Sequence, residues 1–364
     1  MLTSWASRLE SGVWSSYRGR LVRERLSRIL EFGVRPFILR MSVRHLHGPR
    51  KIAYAMDELI AVCVVRNGAL HVRSFIEHHQ ALGVKHIVLL DNGSTDQTVE
   101  LARSFERVTI LQTRRPYRKY ETVMKRYLVR RFSTGRWNLL VDIDELFDYP
   151  FSEVLDVGAL LTYLNAHSYT AVVAQMLDLF SDIPLEDLKS APSDSLKERY
   201  RYYDVSNIEK RAYRHGTPAN PEIKGHFGGV RKSIFGTDNG LTKTALILLS
   251  PVLVPFVVFH HHANAAVADF TCVLLHYPFV SSFGEKVREA VQTDRYRVSA
   301  AGEYRKYWAG LKESSDLCLK QPTARRFEGV NKLLDDEFLV VSTEYRRCVE
   351  ADRKTAGPDG CRGL

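Results

Sequence analysis

Cysteine is scarce in this 364-residue chain, and its five copies are scattered. Cys63, Cys272, Cys318, Cys348 and Cys361 include no close pair at zinc-ligand spacing, and an odd, dispersed set is not a disulfide framework. Cys63 and Cys272 lie in apolar runs and read as core thiols. This usage points to a reducing compartment. Long hydrophobic runs are missing too. The longest uncharged apolar stretch covers residues 245–259, and Pro251 and Pro255 interrupt it. It falls short of the roughly 20 residues of a spanning helix, so buried strands joined by a turn are expected there. Residues 1–12 lack the continuous apolar segment of a secretory signal. Acids are sparse only at the start: residues 1–50 hold ten Arg and three Glu, a net of +7 out of +10 for the chain. The remainder is nearly balanced, which argues against a globally basic surface and a nucleic-acid partner.

Among what is present, residues 1–50 read as a basic appendage. Leu21, Arg25, Leu26, Arg28, Ile29 and Leu30 fit an amphipathic helix ending near Gly33 and Pro36. An interfacial membrane anchor and a terminal helix with solvated arginines both fit this pattern. Residues 60–65 form a near-continuous apolar run, as in a parallel strand buried on both faces. Helical spacing follows over 69–82 and ends at Gly83. Residues 86–90 are a second strand, 97–105 a helix, 108–111 a third strand, 120–132 a basic helix and 139–141 a fourth strand. Strands alternating with helices imply an α/β fold with a doubly wound, mostly parallel sheet. Ligands bind such sheets beyond the carboxyl ends of the strands, where residues 66–67, 91–96 and 142–145 are predicted to gather. After Pro150 the regularity weakens, with a helix expected over 154–165, a strand over 170–176 and a polar loop over 182–204. From Glu285 onward the chain reads as helical and basic, then as a polar tail.

The chemistry concentrates in Asp142-Ile143-Asp144-Glu145, straight after the fourth strand. Strand alternation puts Asp142 and Asp144 on one side, and two carboxylates that close shift each other's pKa. A hard divalent cation, Mg2+ or Mn2+, resolves that conflict with oxygen ligands. Acids at a helix N-terminus are the plainer reading. Asp91, in Asp91-Asn92-Gly93-Ser94, is either a hydrogen-bond acceptor for a nucleotide or turn chemistry. His276 ends an apolar run and is either a metal ligand or a core histidine. His260, His261 and His262 are adjacent, and a strand would splay them, so they do not make a zinc site. Arg231, Lys232 and Lys243 are cations suited to a diphosphate or to solvent. The basic and aromatic residues 117–120 fit phosphate or RNA binding less well than a solvated helix start.

Together these pieces resemble the family-2-like glycosyltransferases of the GT-A fold. The matching residues are Val64-Val65-Arg66-Asn67, Phe75-Ile76-Glu77-His78-His79 with Leu82-Gly83-Val84, Leu90-Asp91-Asn92-Gly93-Ser94-Thr95-Asp96 and residues 137–145. Gly228-Gly229-Val230-Arg231-Lys232, Leu241-Thr242-Lys243 and Leu274-Leu275-His276-Tyr277 extend the likeness more weakly. Relatives usually carry an acid after the Asn, where this chain has Gly68. The resemblance implies a GT-A-type sheet with a less regular acceptor-side half. Residues 51–150 would be the nucleotide-sugar-binding half, 151–300 the acceptor-side half of the same domain, and 301–364 a helical and polar C-terminal tail. It implies a DxD pair, Asp144 on Mn2+ or Mg2+ and Asp142 on ribose or metal-bound water, with His276 as a further ligand. Arg66, Asn67, Asp91 and Arg231 would hold the nucleotide sugar. Glu222, Asp238 and Asp269 are the candidates for the base. The implied activity moves a sugar from a nucleotide-diphosphate donor to a hydroxyl of a glycan, lipid-linked or protein acceptor, in glycan or polysaccharide synthesis. The expected location is cytoplasmic, at the inner face of a membrane if residues 1–50 anchor there.

Two rivals fit part of the pattern. Residues 139–144 are also similar to the nucleophile motif of haloacid-dehalogenase-type phosphohydrolases, with Asp142 attacking phosphorus and Asp144 as acid-base. Glu145 departs from that type, and Asp91 and Arg66 are left without a role. A non-catalytic sugar- or membrane-surface-binding relative would keep the fold without turnover.

Overall fold

The computed structural model describes residues 30–189, 195–249, 254–258, 261–293, 295–296, 298–314 and 316–356. The amphipathic pattern from Leu21 to Ile29, together with His260 and Cys361, lies outside them. Ten strands form one sheet: β1 (Arg44–His47), β2 (Ile60–Val65), β3 (His86–Asp91), β4 (Val108–Gln112), β5 (Trp137–Leu140), β6 (Glu145–Asp148), β7 (Ala171–Asp178), β8 (Thr217–Pro218), β9 (Thr242–Leu248) and β10 (Ala266–His276). Their order is β1-β4-β3-β2-β5-β9-β7-β10-β8, with β6 on β10. The pairs β2–β3, β3–β4, β2–β5, β7–β10 and β8–β10 are parallel. The pairs β1–β4, β5–β9, β7–β9 and β6–β10 are antiparallel. The α/β class and the mostly parallel sheet expected from the sequence are the observed ones. The antiparallel β9, wedged between β5 and β7, divides the regular first half from the rest.

The helices that cover the sheet are α1 (Arg35–Ser42), α2 (Ala69–Ala81), α3 (Thr98–Arg103), α4 (Tyr117–Phe132), α5 (Val157–Ala166), α6 (Phe283–Thr293), α7 (Val298–Glu313) and α8 (Thr343–Ala356). Strand β2 shows why its run is apolar throughout. Ala61, Cys63 and Val65 enter a core with residues of α2, α3 and α5, while Ile60, Val62 and Val64 enter a second core with Leu39 of α1 and residues of α4. Burial on both faces removes the polar alternate positions. Helix α4 begins at Tyr117, three residues before the sequence reading, directly after Pro116. Proline's fixed φ suits the edge of a first turn.

The described parts of both ends of the chain pack on the sheet and its cores. Strand β1 pairs with β4, and Leu39 is buried. At the other end, Leu319, Val330, Leu333, Phe338, Leu339, Tyr345 and Val349 join the first core. The Tyr345 ring stacks on Phe270 at 4.1 Å, and its hydroxyl donates to the Pro150 carbonyl at 2.9 Å. These apolar residues are spread over short segments, so no window of sequence displays them as a core face. Among the described residues no helix is long and apolar enough to cross a membrane.

The adjacent histidines of α2 fasten the strand that follows the acid cluster. His79 Nδ1 lies 2.8 Å from the Phe75 carbonyl, and Phe147 N–H donates to His79 Nε2 at 3.2 Å. That arrangement needs a neutral ring with its proton on Nδ1. Burial drives His79 well below its ordinary value, His226 to about 3 and His262 to about 4. Each lowered value favours the neutral form in the folded state. The unfolded chain therefore takes up more protons once pH drops below roughly 6.5, and stability falls as pH falls from there toward 4. His276, held above its ordinary value, works in the opposite direction, but it is outnumbered: burial also lowers His78, His86 and His261. A melting series should show Tm decreasing from pH 6.5 to 4.5; a flat or rising Tm would overturn this assignment.

Candidate functional site

Beyond the carboxyl ends of β2, β5, β7 and β10 lies a cleft of about 560 Å³. Asp142 and Asp144 both line it, in the turn between β5 and β6 rather than on an extended strand. The turn closes on itself: Glu145 N–H donates to the Asp142 carbonyl at 3.0 Å, and Asp142 N–H donates to Glu145 Oε2 at 2.9 Å. Glu145, 1 % exposed, thus has a positional role that the sequence reading left unassigned. Gly68 packs against the same turn. A Cβ there would stand 2.8 Å from Val65 Cγ2 and 3.0 Å from Ile143 Cγ1, which leaves no room for an acid.

Lysines neutralise the acids. Asp142 Oδ1 is 3.0 Å from Lys125 Nζ of α4, and Oδ2 is 2.8 Å from Lys243 Nζ of β9. Lys243 also bonds to Glu145. Both lysine side chains are buried. Burial alone would lower their pKa values, but the carboxylates outweigh it, Asp142 first, and hold both ammonium groups above their ordinary range. Asp144 Oδ2 meets Lys286 Nζ of α6 at 3.1 Å and lies 3.7 Å from His276 Nε2. Burial pushes the Asp144 carboxyl up, yet Lys286 and His276 together hold it well below the usual range.

Behind His276 stands a second pair. Asp178 Oδ1 is 2.6 Å from His276 Nδ1, and the Asp178 carboxylate takes two bonds of 2.7 Å from Arg231 Nε and Nη2. Arg231 reaches Glu303 of α7 at 3.2 Å. Against burial, the Arg231 charge and the His276 bond hold Asp178 down at about 2. Asp178 therefore fixes the proton of His276 on Nδ1 and aims Nε2 at Asp144.

Of the other residues singled out by sequence, Arg66 lines the cleft and pairs with Glu289 at 3.6 Å. Asp91 is fully buried and spent on its own turn, accepting from Gly93 N–H at 3.0 Å, Ser94 N–H at 3.1 Å and Gln112 Nε2 at 2.9 Å. Asn67 Oδ1 accepts from Thr95 N–H at 2.9 Å, tying the first loop to the second. Neither is among the described residues lining the cleft. Asp238 lines it, paired with Arg211 at 2.8 Å and Lys232 at 3.5 Å. Glu222 is exposed and outside it. Asp269 is buried elsewhere, accepting from Tyr163 OH at 2.7 Å and from Ser342. His261 and His262 are not part of the site either. Sequence reading missed Lys125, Asp178, Lys286 and Glu303. Asp178 carried a readable signal: like Asp142, it is an acid at the end of an apolar strand. Lys125 and Lys286 carried none, since a lysine on a helix is ordinarily solvated.

No protein-family model and no curated protein matches the chain. Among solved structures it is similar to the mannosyltransferase PcManGT from Pyrobaculum calidifontis in complex with GDP-Man and Mn2+, at 12% identity. The likeness covers 89% of this chain and 93% of that one, with a TM-score of 0.32. At that TM-score the site is read from its own geometry alone.

Proposed function

We propose that this protein is a metal-dependent glycosyltransferase that moves a sugar from a nucleotide-diphosphate donor to an acceptor hydroxyl. The observation that carries the reading is the turn 142–145 at the sheet's carboxyl edge, facing Lys243, Lys286 and Arg231 across one cleft. An all-acid pocket would repel a diphosphate. An all-basic one would not place a divalent cation beside it. This cleft offers both.

The donor set fits a divalent ion in part. Asp144, 3.7 Å from His276 Nε2, favours the charged ring; a divalent cation between them would take the place of the Nε2 proton, leaving the other proton on Nδ1 toward Asp178. Among the described residues no three His, Cys, Asp or Glu side chains form a ready cage. Mg2+ and Mn2+ suit such sparse sites, where phosphate and water oxygens complete the shell. Asp144 and His276 would hold the ion, and Asp142 would contact it through water or contact the ribose. Bound there, it would supply Lewis-acid stabilisation of the diphosphate leaving group. Lys286, paired with Asp144 here, would be available to the phosphates once an ion neutralised that carboxylate. Lys243 stays on the floor of the cleft, held by Asp142 and Glu145. Arg66 would lie at the nucleotide end of the cleft, which Tyr117 and Tyr296 also line, their rings each 5.8 Å from the Arg295 guanidinium. Of the three base candidates Asp238 alone lines the cleft, so it takes the acceptor proton in this reading.

The test is a screen of nucleotide sugars for nucleoside diphosphate release with and without Mn2+. Metal-dependent release is expected, and Asp238→Asn should lower kcat by about 10²–10⁴-fold with donor KM little changed. Phosphate release from simple phosphomonoesters without nucleotide binding would replace this reading with the phosphohydrolase.

A further inference from the structure

A second cavity, of about 470 Å³, opens between α1 and α4. Phe37, Arg40, Arg126, Tyr127, Arg130 and Arg131 line it. Its chemistry is unlike the cleft's: arginines and aromatics with no acid in the lining. Arg126 is 3 % exposed, and its Nε and Nη1 have no hydrogen-bond partner among the described residues. The Phe32 ring lies 4.5 Å from its guanidinium, and among the described residues its counter-charge is Glu31, at 3.8 Å and shared with Arg35. A buried guanidinium with unspent donors is costly unless an anion completes it.

Around the cavity the chain exposes apolar side chains. Phe32, Val34, Phe37 and Met41 are 54%, 42%, 67% and 73% exposed, and they account for four of the six large hydrophobics exposed among the described residues. Arg40, Arg130 and Arg131 stand exposed among them. Residues 1–50 carry a net charge of +7, and the chain before Leu30 leads directly into this face. Apolar side chains interleaved with arginines match the boundary between anionic headgroups and acyl chains: phosphate oxygens meet guanidinium groups while rings and thioethers enter the hydrocarbon edge. Neither a nucleic acid nor an acidic protein surface would reward the four exposed apolar residues.

We infer that this face docks on an anionic phospholipid bilayer, with a lipid phosphate taken by Arg126 in the cavity and Phe37 and Met41 entering the headgroup–acyl boundary. Helix α4 carries both sites. Glu121 and Lys125 face the catalytic-side acids, and Arg126 and Arg130, on the other side of the helix, face the lipid cavity. Docking therefore seats the cleft close to a membrane surface. This inference is independent of sugar transfer, and either can fail alone.

The test uses the full chain in vesicle sedimentation. Binding is expected to vesicles of phosphatidylglycerol mixed into phosphatidylcholine, not to pure phosphatidylcholine, and to weaken as salt is raised. Arg130→Glu with Arg131→Glu, and separately Phe37→Glu with Met41→Glu, should each lower partitioning on the order of tenfold or more, with melting temperatures unchanged. These four side chains are exposed, so the variants are expected to fold. Absence of wild-type binding to the anionic vesicles would overturn the inference. So would wild-type binding by both variants, which would assign the contact to residues 1–29 instead.

Discussion

Asp144→Asn is expected to lower metal-dependent nucleoside diphosphate release by on the order of 10³-fold while leaving the fold intact. The substitution keeps shape and removes one charge. In the proposed site that charge anchors the divalent ion beside the leaving group, and loss of one preorganised electrostatic partner costs about 10²–10³-fold in systems where it has been isolated. Stability should change little because Lys286, 41% exposed, can return to water when its partner is neutral. Asp142→Asn should behave differently. Its two partners, Lys125 and Lys243, are 5% and 8% exposed, so removing their shared counter-charge strands two buried ammonium groups. The paired outcome is therefore a turnover defect at position 144 and a stability defect at position 142. Kinetics and thermal melts on the two variants read it. Full turnover by Asp144→Asn would remove the carboxylate from the proposed mechanism.

Asp178→Ala is expected to reduce unfolding free energy by about 3–5 kcal/mol. Its side chain is 4% exposed and that of Arg231 10%, and they share two bonds of 2.7 Å. Truncation leaves Arg231 with Glu303, at 3.2 Å, as its remaining anionic partner among the described residues. The penalty comes from the orphaned charge rather than from the pair's net worth. The double variant Asp178→Leu with Arg231→Met should therefore recover much of the loss. His276 also loses the bond that fixes its tautomer, so affinity for Mn2+ should weaken roughly 10–100-fold in Asp178→Asn, which keeps the shape. Urea titrations and metal-dependent activity separate the two effects. A change below about 1 kcal/mol in Asp178→Ala would show that water reaches the pair.

The linkage sign distinguishes this pair from the histidines. The folded pKa of Asp178 lies below the ordinary carboxylate value, so its contribution is present above that value and is lost as pH falls toward 2. The decline expected between pH 6.5 and 4.5 must then come from the buried histidines with lowered pKa values, His78, His79, His86, His226, His261 and His262 among them. Replacing His226 should flatten part of it.

Much of the first half was legible because its signals are local. The runs 60–65 and 87–90 are apolar at every position since the sheet is covered on both faces, and the acid-bearing turns follow them closely in sequence. Turn chemistry left the roles of Asp91 and Asn67 open for the same reason. Their side chains suit a tight turn and a nucleotide pocket equally, and here backbone N–H groups claim them. The placements of Glu222 and Asp269, outside the cleft, were equally invisible, because the second half lacks strand-helix regularity.

By itself the sequence determined the α/β class, the parallel core and the delivery of Asp142 and Asp144 to the sheet's carboxyl edge. Hydrophobic periodicity and a following turn are properties of neighbouring residues. Only the tertiary structure decided what faces those acids. Lys243 lies 101 residues from Asp142 along the chain, and Lys286 lies 142 residues from Asp144. Asp178 and His276 are separated by 98. No pattern in sequence encodes such meetings. They arise because β7, β9, β10 and α6 converge on one cleft, where burial forces each charge to find a partner.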